Sequence, residues 1–147
     1  MGIGYDSKVV IYNRTGGELG KPCKWYGTEL SRVRVELTQK VNASTGGAVS
    51  ASTCTIKIND ADLPEAVVSL AEWKENTQSI AFGQDTVFII TEKADINRSV
   101  NAPTGEILDK AYTGGLLSYL QETYGMTYKV VSAEHYSLIP HWAVNGA

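Results

Sequence analysis

The chain has 147 residues, 43% of them apolar and 20% charged, with a formal net charge of −3. That length suits one domain with its own core, and so apolar a chain with so small a net charge is not disordered. No apolar run approaches the ~20 residues that span a bilayer, and two cysteines and two histidines supply neither a disulfide framework nor zinc-ligand spacing.

Residues 1–6 lack the basic and apolar regions of a signal peptide, so a folded intracellular or particle-bound domain is expected. The charge is uneven. Residues 1–60 hold eight Lys/Arg and five Asp/Glu, giving +3, while residues 61–147 hold five and eleven, giving −6. Two faces of opposite sign would suit copies stacked in rings, and a solvated surface of uneven sampling is the plainer reading.

The first strand is expected at Lys8-Val9-Val10-Ile11-Tyr12-Asn13, ended by Asn13 and a glycine-rich loop over residues 14–24. Residues 24–30 suggest a short strand. It leads into Arg32-Val33-Arg34-Val35-Glu36-Leu37, whose strict alternation buries one face and leaves the other to water or a partner. Residues 38–53 contain one charge, Lys40, and almost nothing large, so they cannot anchor themselves in a core. They are read either as a long flexible loop or as a hairpin extension turning at Gly46-Gly47. Residues 54–59 return as a strand with Ile56 and Ile58 on one face.

A helix is expected over residues 63–75, with Asp62 as cap, Pro64 in the first turn, and Leu63, Ala66, Val67, Leu70 and Trp73 on one side. Residues 86–91 form a β-branched strand, and residues 93–110 are polar and turn-rich. A second helix spans residues 114–124, capped by Thr113, buried through Leu116, Leu117 and Leu120, and stopped at Gly125. Strands follow at residues 127–133 and 142–144. The expected fold is therefore a single α+β domain, mainly β: a small antiparallel barrel or sandwich of six to seven strands with two short inserted helices.

No catalytic constellation emerges. His135 and His141 lie six residues apart with no metal-ligand companions, and His141 in Pro140-His141-Trp142 suits packing or a subunit contact better than catalysis. The loop Gly16-Gly17-Glu18-Leu19-Gly20-Lys21 fails the phosphate-loop pattern at both ends, with Thr15 before it and Pro22 after it. Glu65 and Glu72, two helical turns apart, read as a solvated face rather than an acid–base pair. Arg32 and Arg34 point from one strand face and, with Lys24 or Lys40, can touch phosphates or pair with another subunit. No enzyme, metal or cofactor is expected.

Several strings in order carry a resemblance: Val9-Val10-Ile11-Tyr12-Asn13; Trp25-Tyr26-Gly27 before the alternating strand; the small-residue stretch before Thr55-Ile56-Lys57-Ile58; and Gly83-Gln84-Asp85-Thr86-Val87-Phe88-Ile89. They continue with the helix at residues 116–125, Lys129-Val130-Val131, and the ending Pro140-His141-Trp142-Ala143-Val144-Asn145-Gly146. The chain resembles head–tail connector proteins of tailed phages and prophages of Firmicutes-type hosts, specifically head-closure or stopper proteins of the neck. It departs from them at Tyr136-Ser137-Leu138-Ile139, where a more polar turn is usual.

The resemblance implies a virion protein, assembled in the host cytoplasm, that closes the DNA-filled head and joins it to the tail. Implied partners are further copies in a six- or twelve-fold ring, portal and adaptor proteins, tail-terminator or tail proteins, and packaged DNA through non-specific contact, with no membrane. The expected subunit or channel contacts are Arg32, Arg34, Lys40, Asn42, Thr45, Gly46, Gly47, Val49 and Ser50, with His141 and Trp142 in C-terminal packing or an interface. Two alternatives stand beside it: a tail-terminator or other tail-completion ring, and a small hydrolase or ligand-binding domain around His135 and His141.

Overall fold

A computed structural model describes residues 5–15, 23–44, 47–75, 79–83 and 85–147. The strands are β1 (Ser7–Thr15), β2 (Lys24–Ser44), β3 (Gly47–Asn59), β4 (Val87–Lys93), β5 (Arg98–Ser99), β6 (Gly105–Leu108), β7 (Thr127–Tyr136) and β8 (His141–Gly146). Two helices, α1 (Leu70–Glu75) and α2 (Leu116–Thr123), interrupt them. β1, β2, β3, β8, β7 and β4 pair antiparallel in that order, and β4 pairs back to β1, closing a six-stranded barrel. β5 and β6 are extra strands laid on β4 and β2.

The continuous apolar runs of β1 and β4 follow from burial on both faces. Val9, Ile11, Phe88 and Ile90 point into the barrel with Leu30, Val33, Ile56, Ile58, Val130 and Val144. Val10, Tyr12, Val87 and Ile89 point outward and are covered by Leu116 and Leu120 of α2, with Trp25 and Ile107 beside them. Large side chains from all six strands fill the interior, as expected of so small a barrel. It is a packed core, not a pore.

Asn13 does not end β1, which runs on to Thr15. Its buried amide donates to the Ala81 carbonyl at 2.6 Å and to Thr86 Oγ1 at 3.1 Å, tying the 63–83 excursion to the barrel wall. That excursion differs most from the expected helix. Residues 63–69 are not helical: 64–65 bend the chain, and around Val67 the Val68 N–H donates to the Ile80 carbonyl at 2.8 Å and Ile80 N–H to that of Ala66 at 2.9 Å. The helix begins only after Ser69, whose hydroxyl accepts from Glu72 N–H at 3.3 Å. Ser69-Leu70-Ala71-Glu72 has the spacing of a capping box, and it set the start. Glu65 and Glu72 accordingly share no helix face.

At α2, Thr113 is exposed and the cap comes from farther away. Asp109 Oδ1 accepts from Leu116 N–H and from Trp25 Nε1–H, both at 2.9 Å. Gly125, at φ +66°, ends the helix as expected, its N–H reaching the Leu120 carbonyl at 3.2 Å. The Arg98 guanidinium then donates to the Tyr124 and Gly125 carbonyls, fixing that end against β4.

Cys54 is buried inside the barrel and Cys23 is partly exposed; both are free thiols. Burial pushes the Cys54 thiol from its ordinary 9.0 up to about 12. The folded state therefore holds that proton more tightly than the unfolded chain. The stability this contributes is intact below pH 9 and drains away as pH rises toward 12. Urea midpoints across that range should fall less steeply for Cys54→Ala than for the parent; parallel slopes would refute the coupling.

Candidate functional site

The registers define two ends. β3 and β8 pair from Cys54↔Gly146 to Asn59↔His141. Beyond Cys54 lies the β2–β3 hairpin; beyond Asn59 lie the turn Asp60–Asp62 and the β7–β8 connection.

At the first end, residues 38–44 and 47–53 lie on two antiparallel arms, β2 and β3 remaining paired from Thr38↔Thr53 to Ser44↔Gly47. Seven residues per arm project about 24 Å at a strand's rise per residue. Among the described residues neither arm has another strand beside it: β1 stops pairing at Ser7↔Val33 and β8 at Cys54↔Gly146. Lys40, Asn42, Gly47, Val49 and Ser50 lie on these arms; Thr45 and Gly46 lie outside the described residues, as do residues 16–21 of the rejected phosphate loop.

Arg32 sits at the root of this ribbon. Two steps along β1, from Ser7 to Val9, face three along β2, from Val33 to Leu30, so β2 carries an extra residue there. Arg32 takes the left-handed conformation, φ +56°, at that bulge. This conformation costs a non-glycine residue about 1 kcal/mol. Its guanidinium lies 3.9 Å from Asp62, while Arg34 pairs with Glu36 at 3.2 Å.

Other cations are matched likewise: Lys8 with Glu29 and Glu92, Lys24 with Glu106, and Lys57 with Glu36. Glu92, Glu106 and Asp62 belong to the acidic stretch of the sequence. Barrel closure thus sets anions of the second half against cations of the first, which weakens the expectation of two oppositely charged faces.

At the second end the barrel wall parts. β7 pairs with β4 only through residues 127–129, and Leu63, Val67, Ile80 and Phe82 of the 63–83 excursion, bridged at Val67↔Ile80, pack on the barrel core. Trp142 packs on Phe82, ring centroids 5.5 Å apart, and on His135, 5.1 Å apart. His135 Nε2 lies 2.8 Å from Asp60 Oδ2, and Asp60 N–H donates to the Pro140 carbonyl at 3.1 Å.

A groove of about 560 Å³ opens over this pair, lined also by Leu63, Glu65, Val67 and Trp142. A second, of about 760 Å³, lies across Asp60, between Arg32, Asp62, Ile139 and Pro140. The His135–Asp60 pair is able to hold or pass a proton. No serine, threonine or cysteine is among the described residues lining the first groove, and no group of three metal-ligating side chains is found among the described residues. His141 is not part of it: its ring stacks on Tyr136 at 4.9 Å, with Nδ1 2.7 Å from the Ile139 carbonyl.

The turn Tyr136-Ser137-Leu138-Ile139 is the most exposed apolar surface described. Leu138 is 98% and Ile139 72% exposed, with Val131 at 69% and Tyr136 at 47% beside them. Sequence reasoning had singled these positions out only as a departure from a polar turn. Their membership of one open edge depends on how β7 leaves β4, which no local pattern encodes.

Residues 4–147 match the family described as "Family of unknown function (DUF6751)", and the chain belongs to that family. No curated protein and no solved structure matches it.

Proposed function

We propose that this DUF6751 member is a non-enzymatic subunit of a ring in the neck of a tailed phage, closing the filled head and joining it to the tail. The observation that carries the reading is a filled barrel from which a seven-residue-per-arm ribbon projects with both edges unpaired. Such a ribbon is far from any core of its own chain, and an unpaired strand edge is a template for another chain. The resemblance in the ordered strings supplies the particle. Six or twelve copies would form the ring, with portal or adaptor proteins on one side and tail proteins on the other.

Because the barrel interior is packed, any DNA passes through the lumen of the ring and not through the subunit. The net charge of −3 favours sliding contact over tight phosphate binding. A tail-terminator ring shares all of these features and is separated by its position in the particle. The His135–Asp60 groove is the feature that a small hydrolase or ligand-binding domain would use, and its described lining holds no hydroxyl or thiol nucleophile.

Deleting residues 43–50 tests the assignment. The shortened protein is expected to stay folded by circular dichroism, because the deleted pairs lie beyond Cys54 and outside the barrel. Complementation of a phage lacking the gene should then give filled heads and separate tails. Tailed, infectious particles at the parental titre would sink the proposal.

A further inference from the structure

Besides the hairpin, the described residues contain a second unguarded sheet edge, along β7. Residues 132–136 pair with β8 on one side only, with Val131 left unpaired at a bulge beside them, and apart from the partly buried Ala133 residues 131–136 are all exposed. No backbone hydrogen bond from their other side reaches a described residue. Protein edges are normally guarded by charge, proline, shortness or a covering element. The β3 arm, residues 47–53, contains no charged residue and no proline, and residues 131–136 contain a single carboxylate, Glu134.

We infer that the outer edge of β7 is the acceptor for the β3 arm of a second copy's hairpin, the two joining by strand addition. This rests on the reading of the chain as an assembly subunit and names the contact that builds the assembly. Three observations converge on it. The lengths are compatible, seven residues against five, or about 17 Å of ladder. The charges are complementary: Lys40 is the one charged residue of the 38–53 ribbon, while Glu134, Asp60 and Glu65 border the acceptor edge. The added strand would also cover Val131 and Tyr136 and run toward Leu138 and Ile139, apolar residues that the described part of the chain leaves exposed.

Donor and acceptor lie at opposite ends of β3, so the contact joins different surfaces. Repeated copy to copy it closes a ring or extends a filament, whereas reciprocal exchange between two copies closes a dimer.

The test is cross-linking between differently tagged copies of the full chain, each carrying Cys23→Ser. One copy bears Ser50→Cys, at the middle of the donor arm, and the other Glu134→Cys, at the middle of the acceptor edge. Cys54 stays in place, because a buried thiol with so little thiolate does not compete. With a short bis-maleimide, the mixed-tag product is expected to be the dominant linked species, and it should be diluted away by an excess of the Cys23→Ser chain that carries neither new cysteine. A product linking Ser50→Cys only to itself would overturn this contact in favour of an arm-to-arm dimer while leaving self-assembly intact. No linked product at high protein concentration would also overturn the contact. Whether the ring reading falls with it is decided separately, by the particle-joining experiment on the deletion.

Discussion

Replacing Gly146 by alanine is expected to cost about 3 kcal/mol of stability. Gly146 closes β8, between Cys54 of β3 and Val130 of β7. A Cβ there would lie 2.6 Å from both Cε1 and Cζ of Phe88 and 2.9 Å from Tyr128 Cβ. Phe88 and Tyr128 are stacked, centroids 5.5 Å apart, and both belong to the barrel core, so neither ring can swing into solvent to make room. The added methyl must instead push β8 outward against its hydrogen bonds to two neighbours. A fall in the urea midpoint with unchanged m-value would report it. Gly125→Ala is the control: nothing lies within 4 Å of its Cβ, and its φ of +66° should cost only about 1 kcal/mol. Equal losses at the two sites would show that backbone conformation, not the close approach of Phe88, explains Gly146.

Gly146 also shows what a sequence does and does not carry. The terminal pattern Pro140 to Gly146 was noticeable as a string, yet the need for glycine at its end arises from Phe88, fifty-eight positions away, across a barrel seam. The strands themselves were legible, because β-branched and aromatic runs have few other ways to bury both faces. Their closure was not: the pairing of β1 with β4 and of β3 with β8 joins residues about eighty apart, and no periodicity records it.

The expected helix over residues 63–75 failed for a related reason. Its apolar spacing is helical, but the Ala66 and Val68 backbone groups find Ile80, and the Ser69–Glu72 cap marks the start that the apolar stripe obscured. Of the candidate site, Arg32, Arg34 and the ribbon were visible in the sequence as alternation followed by small residues. The β7 edge was not, since an edge is defined by which neighbour is missing. Likewise the split of net charge near residue 60 is partly offset in the fold, because barrel closure matches Lys8 to Glu92 and Lys24 to Glu106.

Trp73→Ala is expected to destabilise the protein by 3–5 kcal/mol, the range for removing a fully buried large aromatic side chain. Trp73 is the buried residue of α1, with no exposed surface, and the Tyr26 ring meets it edge-on at 5.7 Å and 76°. It holds the 63–83 excursion against β2, and Leu63, Val67 and Ile80 of that excursion pack on the barrel core. The loss should therefore be local before it is global. Hydrogen exchange at the amides of Val68 and Ile80, which pair across the excursion, should accelerate in conditions where amides of β1 and β4 do not.

Trp73→Phe separates packing from polarity. The indole Nε1 is buried without an acceptor among the described residues, and a buried donor left unpaired costs about 1–3 kcal/mol. Phenylalanine keeps a ring at the centre of the contact while discarding that donor, so the gain offsets much of the lost volume. The Phe variant should accordingly lie within about 1 kcal/mol of the parent. If it loses as much as the alanine variant, the indole N–H has an acceptor after all, and Trp73 anchors the excursion by a hydrogen bond and not by packing alone. In either case the excursion is the wall of the groove over His135 and Asp60. A variant that loosens it should change the exposure of the β7 edge without touching the hairpin, so donor and acceptor ends of the molecule can be perturbed independently.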